Sequence, residues 1–97
     1  MPHVLARFIV YFSKRSSYVD RVLSVLDEVI AEVGGDIEVI IKKVPLEDNP
    51  ELVFSEGVIA VPAIDIVSSE THRFIGIPHK KDLLDVLSLF PGFELSV

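Results

Sequence analysis

Few residues in this chain of 97 are equipped for chemistry. There is no cysteine. That removes disulfides, thiolate nucleophiles and cysteine-held metals together. The histidines His3, His72 and His79 are too scattered to form a ligand set. None sits in a context that marks it as the base for a serine nucleophile. No catalytic residue, metal or cofactor is therefore expected.

Two polar or constrained stretches remain. The first is Ser13-Lys14-Arg15-Ser16-Ser17-Tyr18. It lies between a strand-like run and a helix-like run, so it opens a helix. Free N–H groups, the helix dipole, two hydroxyls and two of only nine basic residues make that start suited to an anion. Each residue also has a plain structural reading. Ser16 or Ser17 is an N-cap, Lys14 and Arg15 are solvated charges, and Tyr18 is packing. The second stretch is Gly57 to Ile66, apolar and β-branched, with Pro62 inside it. A proline there belongs to a turn before a strand, not to the strand's middle.

The elements that must position these stretches follow from periodicity. Val4 to Phe12 is nearly continuous in apolar residues, which suits a central strand covered on both faces. Tyr18 to Val33 carries Val19, Val22, Leu23, Leu26, Val29, Ile30 and Val33 at helical spacing. Ser17 with Asp20 resembles a capping box, Ser16 is the competing cap, and Gly34-Gly35 ends the helix. Asp36 to Val44 is a second strand, placed at a sheet edge by Glu38, Lys42 and Lys43. Asn49 as N-cap and Pro50 as first residue open a short helix that Gly57 stops. Ala63–Val67 and Thr71–Ile75 read as a hairpin around Ser68-Ser69-Glu70. The last helix runs from Pro78-His79-Lys80-Lys81-Asp82 to Phe90, with Leu83, Leu84, Leu87 and Phe90 on one face.

This order, β-α-β-α-β-β-α, resembles the thioredoxin and glutaredoxin family over nearly the whole chain. The local matches are Glu47-Asp48-Asn49-Pro50-Glu51-Leu52, Gly57-Val58-Ile59-Ala60-Val61-Pro62-Ala63 and Phe74-Ile75-Gly76. The resemblance implies an α/β fold with a four-stranded mixed sheet of order 2-1-3-4, helices on both faces, and a single domain over 1–97. It also implies a cis Val61–Pro62 bond facing the head of the first helix. The chain departs from the family where its Cys-x-x-Cys would stand. Ser16-Ser17-Tyr18-Val19 occupies that place, and a serine hydroxyl has no thiolate acidity.

The expectation is a redox-inactive module that binds a protein or peptide through Lys14, Arg15, Ser16, Ser17, Tyr18, Val61 and Pro62. A glutathione-transferase-type enzyme using Ser16 and a structural subunit of a larger complex are the alternatives. Hydrophobic residues make up 49% of the chain, enough for a core, and many for so few covering elements, so a homodimer is expected as well. The net charge of -6 argues against nucleic acid and anionic membranes. No apolar run spans a bilayer, and the first strand leaves no room for a signal peptide, so the cytoplasm is the expected location.

Overall fold

The computed structural model describes residues 4–33, 37–58, 61–67 and 70–89. Its centre is β1, Val4–Phe12. This strand pairs in parallel with β2, Ile37–Pro45, and antiparallel with β3, Ala63–Val67. β4, Thr71–Ile75, pairs antiparallel with β3. The sheet order is β2-β1-β3-β4. The most continuous apolar run is thus an interior strand, and the lysine-bearing run is an edge. Pro45 ends β2 at that edge, where its missing N–H costs little.

Helix α1 spans Tyr18–Val33. A single turn of 3₁₀ helix, Leu46–Asp48, precedes the four-residue α2, Leu52–Ser55. Helix α3 is Lys80–Leu87. Helices α1 and α3 touch each other and share one face of the sheet. There Val22, Leu26, Val29, Leu83 and Leu87 meet Phe8, Val10, Ile64 and Ile66, all fully buried. Each such side chain contributes about 1.5–3 kcal/mol relative to exposure. On the opposite face Tyr11, Val44, Val58 and Ala63 pack with Leu46 and Leu52. That second core is small because α2 is short.

Three local expectations change. Asn49 does not cap α2, whose N-cap is Glu51. Its side-chain amide instead donates to the Pro45 carbonyl at 3.0 Å. An asparagine side chain that can reach a nearby carbonyl competes with its own capping role. At α1 it is Ser16, not Ser17, whose hydroxyl accepts an N–H, that of Tyr18 at 3.1 Å. Asp20 reaches Ser17 only backbone to backbone, so the capping box does not form. Helix α3 stops at Leu87, with Ser88 as C-cap. Gly34-Gly35, Ile59-Ala60, Ser68-Ser69, Phe90 and the tail beyond it lie outside the described residues.

Candidate functional site

The pairing of Tyr11 with Ala63 brings the end of β1 and the start of β3 to one end of the sheet. The loop 13–17 therefore leaves β1 beside Val61-Pro62. The Val61–Pro62 bond is cis and Pro62 is buried. The Pro62 carbonyl accepts the N–H of Gly76 at 2.7 Å. Gly76 makes that approach at φ +87, a conformation that favours glycine. Among the described residues, the N–H and C=O of Val61 make no hydrogen bond.

The loop has a different character from the one expected. Ser16 N–H donates to the Ser13 carbonyl at 3.0 Å, and Arg15 N–H donates to Ser13 Oγ at 3.2 Å. Ser13 Oγ in turn donates to Glu47 Oε2 at 2.7 Å, and Lys14 N–H donates to Glu47 Oε1 at 3.0 Å. Lys14 Nζ pairs with Asp48 Oδ1 at 2.7 Å. Both ends of that pair are about half exposed, so it contributes at most about 1 kcal/mol. The carboxylate to which the loop is suited is thus supplied from within the chain, by the 3₁₀ turn that follows β2. Of the seven expected site residues, Lys14 is neutralised, Ser16 caps its own helix, and Arg15 has no ion-pair partner among the described residues. Tyr18 stands half exposed beside them. Val19 packs against the main core, as its spacing predicts.

The Ser13 hydroxyl and the Lys14 N–H hold the Glu47 carboxyl below the usual carboxylate range. A carboxylate with a lowered folded-state pKa stabilises the loop above its unfolded pKa, and that contribution is lost as pH falls through the lower, folded value. In an acid titration followed by NMR, the Lys14 amide resonance should move with a midpoint below that of a peptide glutamate. Glu47→Gln should abolish the movement. A midpoint at or above the peptide value would contradict the contact.

A second cluster was not foreseen. Asp65 is 3% exposed in the middle of β3. Directly opposite in register, Arg73 donates Nε to Asp65 Oδ1 at 2.6 Å and Nη2 to Oδ2 at 2.8 Å. Its Nη1 donates to the carbonyls of Glu56 and Gly57 at 2.9 and 3.0 Å. The guanidinium also lies 5.7 Å from the centre of the Tyr11 ring. Burial, reinforced by the charge of Asp65, raises the Tyr11 hydroxyl pKa. Arg73 therefore fastens the end of α2 to the β3–β4 hairpin. Beside it lies an open cleft of about 640 Å³ floored by Ile9 and Val67 and flanked by Lys42, Leu52 and Glu56. The sequence carried one signal for this cluster, an aspartate alone in the apolar strand Ala63-Ile64-Asp65-Ile66-Val67. A buried carboxylate needs a cation, and the hairpin partner position holds one.

This architecture matches solved structures closely. The fold is that of the thioredoxins. Thioredoxin-2 of the malaria parasite, a component of its protein secretion machinery, aligns at TM-score 0.69 and 19% identity over 91% of this chain and 84% of its own. Chloroplastic thioredoxin z gives 0.69 and 16% over 87% and 76%. A mutant thioredoxin from Halobacterium salinarum gives 0.69 and 18% over 95% and 78%. No family model matches the sequence, and no curated protein does. In the thioredoxin fold the head of α1 faces the proline before β3, and here that head carries Ser16 and Val19 without a cysteine. Among the described residues no helix is long and apolar enough to cross a membrane.

Proposed function

We propose that this chain is a redox-inactive module of thioredoxin fold that binds an extended protein or peptide segment beside Val61. The observation that supports this is the N–H and C=O of Val61, which have no hydrogen-bond partner among the described residues, next to Pro62, whose own carbonyl is already used by Gly76. A backbone donor and acceptor held side by side form the start of a ladder, and an extended segment completes it. Tyr18 and Ile75, each about half exposed, offer apolar contact on either side. Pro62 fixes the turn that presents Val61. Ser16 and Ser17 line the approach from α1.

Charge does not select the segment strongly. Lys14 and Arg15 face Glu47 and Asp48 across the same loop, so the two signs nearly cancel. Two backbone hydrogen bonds contribute only about 1–3 kcal/mol together. Binding is therefore weak unless side chains of the segment fill the apolar margins.

The test is an NMR titration of the labelled protein with extended apolar peptides, acidic peptides and glutathione. Saturable shifts centred on Val61 and the residues Ser16 to Tyr18, lost when the peptide backbone is N-methylated, are the expected result. Shifts produced by glutathione alone would favour the transferase-type reading built on Ser16. A protein whose Val61 amide ignores every peptide sinks the proposal.

A further inference from the structure

The outer edge of β2 is the longer of the two edges of the sheet. Among the described residues β2 pairs only with β1. Alternate backbone N–H and C=O groups along it therefore point away from the sheet. Register divides its side chains between the two faces. Glu38, Ile40 and Lys42 lie on the α2 side, in line with Leu5, Arg7 and Ile9. Val39 and Ile41 lie on the α1 and α3 side, partly buried against the main core. Glu38 and Lys42 are exposed, and neither has an ion-pair partner among the described residues. Ile40, between them, is 44% exposed.

This spacing makes the strand complementary to itself. Two copies of β2 paired antiparallel are related by a two-fold axis normal to the sheet. Each face then stays continuous, so the axis passes through one residue of each strand. Centring it on Ile40 sets Glu38 of each copy directly opposite Lys42 of the other. The same register sets Ile40 against Ile40 and, on the other face, Val39 against Ile41. Moving the axis by two residues sets like charges together, Glu38 on Glu38 or Lys42 on Lys42. Moving it by one sets Glu38 against Ile40 or Val44. Opposite charges directly across a strand pair stabilise it and like charges destabilise it. Lysines on an edge ordinarily deter pairing. Here a glutamate four positions before Lys42 turns that deterrent into the choice of one register. The other edge offers a contrast, for Thr71-His72-Arg73-Phe74-Ile75 carries no acidic residue.

We infer that β2 pairs antiparallel with β2 of a second copy about Ile40, joining two four-stranded sheets into one. The occupant is a second copy because one strand supplies both members of each charge pair. The inference is independent of peptide binding at Val61, which precedes β3, two strands away from this edge.

Sedimentation velocity on the full chain at low ionic strength, from micromolar to several hundred micromolar, should show a dimer. Glu38→Lys and Lys42→Glu each replace both attractive pairs of the dimer with repulsive ones. Each should raise the dissociation constant by roughly tenfold or more. Both side chains are exposed, so the variants should keep their fold, which circular dichroism checks. Two restorations then test the register. Glu38→Lys and Lys42→Glu in one chain re-form every pair in reverse, and that double variant should dimerise like the wild type. An equimolar mixture of the two single variants should form a heterodimer. A wild-type chain that stays monomeric throughout overturns the inference. So does a dimer indifferent to both single substitutions, or one that the double variant fails to restore.

Discussion

Arg73→Met should destabilise the protein by about 3–5 kcal/mol, the range for breaking a buried ion pair from one side. The reason lies in Asp65. Asp65 is 3% exposed, flanked in β3 by fully buried Ile64 and Ile66, and both oxygens of its carboxylate are held by Arg73. Removing the guanidinium leaves that carboxylate either charged without a partner or protonated at a cost. Domains of this size have only about 5–15 kcal/mol in total. A large fall in the urea midpoint at neutral pH is therefore the expected reading. Pairing the substitution with Asp65→Leu should recover most of the loss, since an apolar pair of similar volume can replace a buried ion pair at little cost. The recovery should not extend to α2. Arg73 also holds the carbonyls of Glu56 and Gly57, and a methionine cannot. Hydrogen exchange at Ser55 and Glu56 should stay fast in the double variant while β1 regains protection. If Arg73→Met alone costs less than about 1 kcal/mol, the pair is not the fastening described.

What was legible in the sequence is what local chemistry decides. The apolar run of β1 places it inside the sheet, because an edge exposes one side of its strand and that run has only Arg7 to show. The 3.6-residue spacing sets α1 from Tyr18 to Val33 without error. The head of α1 and Val61-Pro62 were brought together by element order, and register accounts for it through Tyr11 and Ala63. The rest depends on partners far away in the chain. Glu47 meets Ser13 across 34 positions, and nothing local at either residue announces it. The loop was therefore read as open to an external anion, although it holds an internal one. Asn49 failed for a subtler reason. Its position before Pro50 is a good capping signal, but the Pro45 carbonyl lies one turn back and takes the same amide. Asp65 was passed over because a lone aspartate in a strand does not say which cation it meets until the hairpin is registered.

The second large effect is a gain. Ser16→Cys together with Val19→Cys should give this chain, which has no cysteine, disulfide reductase activity. The two positions are three residues apart across the start of α1, where side chains at i and i+3 are neighbours. The Tyr18 N–H now given to Ser16 Oγ would be given to a sulfur, favouring its thiolate along with the helix dipole. Opposing this is Glu47, whose carboxylate lies on Ser13 and Lys14 in the same loop and disfavours a second negative charge. The double variant should therefore reduce insulin disulfides faster than dithiothreitol alone, and adding Glu47→Gln should raise the rate again by lowering the thiol pKa. The order of those two rates is the decisive observation. A folded double variant that stays at the reagent's rate, with or without Glu47, would mean that the head of α1 has lost more than its sulfurs. The serines would then mark a site rebuilt around its internal carboxylate.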